Sequence, residues 1–493
     1  MELDRDLQSI QEVRNLVARA KAAAEQLASY SQEQLDAICA SIAAACAEQA
    51  EALARMAVEE TGFGRWEDKV IKNRLGSTIV WEHIKNERVV GILRDDPAQR
   101  VIEIGVPMGV VAALIPSTNP TSTTMYKCLI ALKAGNAIVI SPHPGAKRCI
   151  SETYRIIEQA ARKAGAPEGA VGCVELTTME ATNALLKHRD VSIILATGGE
   201  AMVRAAYSSG NPALGVGPGN GPSFIEKSAD IPLAIRRIFA SKTFDNGTIC
   251  ASEQSIVVER CSEKAVVEAC EAQGGYFLSD EESRRLAALL LRPNGTMNPK
   301  IVGRTAQQIA DMAGIVIPAH TRVLLSRQTE VSRANPYSRE KLCPVLAFYV
   351  AENWEEACER SISILQNEGS GHTMTIHSEN QQIIREFALK KPVSRLLVNT
   401  PGALGGVGAT TGLPPALTLG CGAVGGSATS DNIGPRNLIN IRRVAWGLRE
   451  LDDLRQETPA APAADSRPTD ALTSDDVEAI TRAVIARLTA RQS

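Results

Sequence analysis

From residue 109 to residue 199 the sequence switches repeatedly between short apolar runs and helix-patterned stretches, and that alternation fixes the class of fold. GVVAALIP (109–116) and NAIVISP (136–142) read as strands buried on both faces, with STNPTSTTMYKCLIALKAG (117–135) between them as a loop and a helix. SETYRIIEQAARKAGAP (151–167) is a helix, GCVEL (172–176) a strand, ATNALLKHRD (181–190) a helix and VSIILATGG (191–199) a strand. Strands that are apolar along their whole length, each followed by a helix, predict a parallel α/β sheet covered on both sides. A second round of the same alternation runs from about 256 to 425, so two α/β domains are expected.

The flanking segments fill in the rest. Residues 3–60 carry helical periodicity, with Ser31 placed to cap a helix that ends at Gly62 and Gly64. RVVGILR and RVIEIGVP, between 88 and 107, suggest a hairpin or arm. NPALGVGPGNGP (211–222) reads as a Gly/Pro loop leaving the first domain, and the glycine-dense stretch 401–435 as loops returning over a cleft. The expected partition is 1–230 for the first domain, 231–425 for the second, and 426–455 for a return towards the first domain or an oligomer contact. A Pro/Ala linker (456–472) and a terminal amphipathic helix (473–493) follow.

Composition removes several classes of function. A net charge of -3 with 4% aromatic residues offers neither a basic surface nor stacking platforms for nucleic acid. No apolar run reaches the roughly 20 residues of a membrane span, and the charged N-terminus lacks a signal-peptide core. The eleven cysteines contain no CxxC pair and the six histidines no HExxH, so no metal is expected and free thiols in a reducing cytoplasm fit best.

Chemistry concentrates at FDNGTICASEQSIVV (244–258), where a polar turn delivers Cys250 just ahead of a β-branched run. By residue type alone Cys250 is a small buried thiol. Its surroundings decide otherwise. IPSTNP (115–120), GNAIVISPHP (135–144), ATGGEAMVRAA (196–206), the Cys250 stretch and REKLCPV (339–345) occur in one order that resembles the aldehyde dehydrogenase superfamily over residues 1 to about 450. The resemblance implies a Rossmann-type cofactor domain, an α/β catalytic domain and a β arm for assembly as a homodimer or homotetramer. It makes Cys250 the nucleophile and Asn119 an oxyanion donor. It assigns NAD to Ser141, Pro142 and His143, to Thr197, Gly198 and Gly199, and to Glu340, even though no GxGxxG opens a helix after a strand. His372, in EGSGHTMTIH, is a candidate for the substrate or coenzyme A channel.

Where hydrolysing relatives carry a water-activating glutamate, this sequence has Val216, which accepts no proton. That loss, with the wording of IPSTNP, SPHP and GPGNGP, resembles the CoA-acylating branch, the acetaldehyde and propionaldehyde dehydrogenases. It implies an aldehyde, coenzyme A and NAD as reactants. A functionalised aldehyde such as sulfoacetaldehyde or succinate semialdehyde would need a cation in the pocket, with Arg395 and Arg436 as candidates. A scaffold protein on a decayed enzyme fold is the alternative of another class. In SDDVEAITRAVIARLTARQS (474–493), Val477, Ile480, Val484, Ile485 and Leu488 share one face, resembling the peptides that carry enzymes into bacterial microcompartments by binding shell proteins.

Overall fold

The computed structural model describes residues 4–457 and 473–489, so most of the expected linker lies outside the described residues. Fifteen strands are described: β1 (Gly91–Asp96), β2 (Val101–Pro107), β3 (Val110–Ile115), β4 (Ala137–Pro142), β5 (Val171–Cys173), β6 (Ile193–Thr197), β7 (Ala213–Val216), β8 (Gly221–Ile225), β9 (Glu253–Glu259), β10 (Gly275–Phe277), β11 (Val323–Arg327), β12 (Val345–Ala351), β13 (Gly371–His377), β14 (Val393–Val398) and β15 (Ile439–Ala445). They form a five-stranded sheet in the order β5-β4-β3-β6-β7, a seven-stranded sheet in the order β10-β11-β12-β9-β8-β13-β14, and a three-stranded arm, β1-β2-β15.

Every pair within the two large sheets is parallel. In the five-stranded sheet β3, β4 and β5 run outward on one side, and β6 and β7 on the other. The carboxyl ends of β3 and β6 therefore flank the point where strand order reverses, the place where open α/β sheets leave a crevice. β3 and β4 are buried at every position, as their unbroken apolar runs require. The seven-stranded sheet divides its side chains by strand period. Val257 and Leu324 enter one core, whereas Ile256, Val258, Val323 and Leu325 enter the core on the opposite face.

Several expectations change. The segment 211–222 is not a loop throughout, because Ala213–Val216 pairs beside β6 as an edge strand that its glycines had hidden. The boundary at 230 moves to between Val216 and Gly221, since β8 pairs with β9 and β13 in the second sheet. The boundary at 425 also moves. Ala403, Val407, Ala416 and Leu419 already pack into the core of the first sheet, so the chain returns near 402. The single helix expected after Ser31 is two, Gln32–Glu48 and Ala50–Thr61, bent by 64°. Ser31 does close a capping box with Gln34, and Gly62 ends the second helix at φ 66°.

Residues Met1–Asp95 and Ile102–Arg443 make one compact unit; Asp96–Val101 with Val444–Ser493 make another. Within the latter, helix Ser474–Thr489 exposes Val477, Ile480 and Val484; the side chains of Ile485 and Leu488 lie outside those described. Among the described residues no single helix is long and apolar enough to cross a membrane. Ile194, fully buried in β6 with paired strands on both sides, tests the first core. Ile194→Ala should destabilise the fold by about 2–5 kcal/mol, seen as a lower melting temperature.

Candidate active site

The turn ahead of Cys250 is built on left-handed backbone. Asp245, Asn246 and Gly247 have φ of 50°, 51° and 81°, and for the two non-glycine residues this costs about 1–2 kcal/mol each. Buried polar contacts hold it there. The Asp245 carboxylate is fully buried and accepts from the Arg65 backbone N–H (2.7 Å), Lys69 Nζ (2.9 Å) and Lys72 Nζ. Gly64 is required at this contact, since a Cβ there would fall 1.8 Å from Asp245 Oδ1. Both lysines come from helix Trp66–Arg74 and are only 2% exposed. Burial lowers the Lys72 ammonium to about 8 despite the pull of Asp245. Burial alone would raise the Asp245 carboxyl, but Lys72 and Lys69 outweigh it and hold the group below its ordinary range.

The same lysines reach the loop after β3. Lys69 Nζ donates to Thr118 O (3.0 Å), and Lys72 Nζ to Asn119 Oδ1 (2.6 Å), Thr248 Oγ1 (3.1 Å) and Thr248 O (3.3 Å). Asn119 Nδ2 donates to Thr248 O (3.0 Å). The loop carrying Asn119 and the loop carrying Cys250, each serving a different sheet, are thus tied together two residues before the thiol.

On the other side of Cys250 lies the segment 217–219. A Cβ at Gly219 would fall 1.8 Å from Cys250 O, so only glycine fits. The Gly219 N–H donates to Glu340 Oε1 (2.9 Å). Burial and the neighbouring Glu368 push the Glu340 carboxyl up to about 8, so it is largely protonated at neutral pH.

Cys250, Asn119, Glu340, Ser141, Pro142, His143, Thr197, Gly198 and Gly199 all line one cleft of about 650 Å³, together with Val216. His143 follows β4, and burial lowers its imidazole pKa. Gly199 caps helix Glu200–Tyr207 without a side chain, and the space where its Cβ would stand is open. His372 is not among the lining residues. It is a fully buried residue of β13, not part of a loop, with Nδ1 3.0 Å from Thr373 Oγ1 and Nε2 unpartnered. Burial and Arg395 push its imidazole down to about 3, so it is neutral.

Cys250 itself is half-buried, and all eleven cysteines are unpaired. Burial, with Glu340 next, pushes its thiol up to about 12, against opposing effects from Arg395 and its own backbone N–H. Among the described residues no His/Cys/Asp/Glu group is arranged to hold a metal.

Lys69, Lys72 and Asp245 are the functional residues that sequence reasoning missed. Helix Trp66–Arg74 buries Lys69, Lys72 and Asn73 while Ile71 is 47% exposed, so its apolar pattern points the wrong way. The available signal was two lysines three apart, which share a helix face.

A sequence pattern of the aldehyde dehydrogenase family matches residues 6–274, more than half of the chain. The chain belongs to the aldehyde dehydrogenase family. It is 43% identical over 442 residues to the bifunctional aldehyde-alcohol dehydrogenase of Escherichia coli, covering 89% of this chain and 50% of that one. The chain spans about half the length of several of the curated relatives it matches. It is also 38% identical to the acetylating succinate-semialdehyde dehydrogenase of Clostridium kluyveri, covering 89% of this chain and 96% of that one. A probable aldehyde dehydrogenase from Listeria monocytogenes superposes with a TM-score of 0.91 at 62% identity, covering 92% of this chain and 100% of that one. A propionaldehyde dehydrogenase from Rhodopseudomonas palustris, solved with bound CoA and an acylated cysteine, gives a TM-score of 0.79 at 28% identity, covering 88% and 97%.

The raised thiol predicts how this family member behaves with its cleft empty. Alkylation of Cys250 by iodoacetamide, followed on its own peptide because Cys261 is also exposed, should climb about tenfold per pH unit from 7 to 9. A plateau in that range would show an acidic thiol.

Proposed function

We propose that the protein is a CoA-acylating aldehyde dehydrogenase that converts a short, uncharged aldehyde, coenzyme A and NAD to acyl-CoA and NADH. The observation that carries this reading is the lining of the Cys250 cleft. A thiol and an amide donor face it together, and the position expected for a water-activating carboxylate is held by Val216.

The residues present fit a dinucleotide. The cleft opens at the carboxyl ends of β3, β4 and β6, with an uncapped helix start at Gly199 and open space above it, suited to a pyrophosphate. Thr197, Gly198 and Gly199 would hold the phosphates, Ser141, Pro142 and His143 the adenosine end, and Glu340 the nicotinamide ribose. Among the described residues no lysine or arginine lines the cleft to meet a 2′-phosphate, which favours NAD over NADP. When bound, NAD supplies a hydride acceptor.

Cys250 Sγ attacks the aldehyde carbon. The resulting oxyanion is met by Asn119 Nδ2 and the Cys250 N–H, and losing one such donor typically costs about 3–4 kcal/mol of barrier. Loss of hydride from the same carbon leaves a thioester on Cys250. With Val216 unable to activate water, the acyl group passes to the thiol of coenzyme A. The departing Cys250 thiolate takes up the proton that the thiol of coenzyme A gives up, and His372, outside the cleft lining and with its imidazole held low by burial, is not needed as the base.

The cleft also bears on the substrate. Ile249, Val407, Leu417 and Leu419 line it. Arg395 is buried and committed to Thr373 Oγ1, Gly420 O, Ser430 O and Asn432 Oδ1, and Arg436 pairs with Glu87 at the surface. Neither lines the cleft, and the N–H groups of Arg395 are taken up by neutral acceptors, so neither is placed to bind a carboxylate or sulfonate directly, which favours propionaldehyde and acetaldehyde over succinate semialdehyde or sulfoacetaldehyde. Exposed Ile92 and Ile441 on the arm support a homo-oligomer, dimer or tetramer. The exposed Val477, Ile480 and Val484 of the last helix, with Asp475 and Asp476 at its start, support delivery to a microcompartment shell in the cytoplasm.

Cys250→Ala should abolish NADH formation with propionaldehyde and coenzyme A; retained NADH, or free acid made without coenzyme A, would refute the assignment. A fluorescent reporter fused to residues 458–493 should concentrate in shells when they are co-produced, and diffuse fluorescence would count against the targeting role.

A further inference from the structure

Asn119 can help an oxyanion only if its NH2, not its carbonyl oxygen, is presented to the cleft. An asparagine side chain is nearly symmetric in shape, so something beside it must choose between the two orientations. Lys72 and the Thr248 carbonyl make that choice together, the ammonium facing the oxygen and the carbonyl facing the NH2. An ammonium has no acceptor, so the Asn119 atom 2.6 Å from Lys72 Nζ must be the oxygen. The NH2 is left pointing at Thr248 O (3.0 Å) and the cleft wall that Asn119 and Thr248 both line.

The charge has a second effect. Lys69 and Lys72 share the buried carboxylate of Asp245, with Asp68 beside it on the helix of the two lysines, so the charge felt by the amide is that of Lys72 itself, in direct contact with Asn119 Oδ1. A charged donor on the amide oxygen draws electron density from the nitrogen and makes its hydrogens better donors. In a dry site that polarisation is stronger than in water. Arg395, a buried cation that acts on the Cys250 thiol, hydrogen-bonds four acceptors of its own, none of them on Asn119.

We propose that Lys72 is the positioning residue of the oxyanion site: its ammonium fixes the orientation of Asn119 and polarises the amide that meets the developing negative charge. This rests on the acylating reading above. Lys72 acts through Asn119 and does not itself contact the substrate. Asp245 anchors it, while Lys69, bound to Thr118 O, holds the adjacent backbone.

Two reactions of the same sulfur separate this role from a purely structural one. Aldehyde oxidation builds an oxyanion, whereas alkylation by iodoacetamide, followed at the same pH 7 where Lys72 is charged, does not. Lys72→Met should lower kcat for NADH formation about 10- to 100-fold, with KM and the Cys250 alkylation rate little changed. Lys72→Gln, which can still donate to Asn119 without charge, should fall in between and provides a second reading if the methionine variant does not fold. Combining either change with Asn119→Ala should cost little beyond Asn119→Ala alone, because both remove the same donor. The melting temperature should fall in both Lys72 variants, because Asp245 loses a counter-ion; a loss of Cys250 alkylation in step with kcat, or full additivity with Asn119→Ala, would overturn the proposal. If the unmodified protein makes no NADH from aldehyde and coenzyme A, the functional reading itself fails; if it does and Lys72→Met keeps full kcat, only the role of Lys72 fails.

Discussion

The site depends on one buried carboxylate. Asp245 sits in left-handed backbone that its residue type tolerates but does not prefer, and two ammonium groups and a backbone N–H hold it there. A buried ion cluster is a poor source of net stability, since desolvation offsets much of the attraction. Its value is geometric. It joins helix Trp66–Arg74, the loop after β3 and the loop before β9, three segments that share no strand pairing. Removing one member leaves an uncompensated charge in the interior, so the three segments are kept in one arrangement.

The two sheets then divide the labour. The first ends its β3, β4 and β6 strands along the cleft, and the second begins β9 three residues after the thiol. Glycine is demanded where the halves meet. At Gly219 any Cβ would collide with Cys250 O, and at Gly402 it would meet Glu253 Oε1 at 2.8 Å. The glycine-dense stretches of the sequence are therefore close-approach surfaces as well as turns.

Much of this was legible in the residues. Buried parallel strands announce themselves as unbroken apolar runs, which is why β3, β4 and β6 fall where the pattern puts them. Ordered motifs bring Cys250, Asn119, Glu340 and the segments 141–143 and 197–199 into one cleft. What stayed hidden has physical causes. β7 is short and holds a glycine, and β8 opens on Gly221-Pro222, so both resemble a turn. The return to the first core at Ala403 lies inside a stretch whose composition speaks only of loops. His372 sits beside glycines and yet belongs to a strand. Lys69 and Lys72 are buried by a long-range ion partner that no local period can reveal.

The raised Cys250 thiol also bears on the reactivity of the empty cleft. Peroxides and adventitious electrophiles attack thiolate, and an empty cleft keeps Cys250 protonated. The burial that shapes the site is therefore also what limits the thiolate fraction open to such attack.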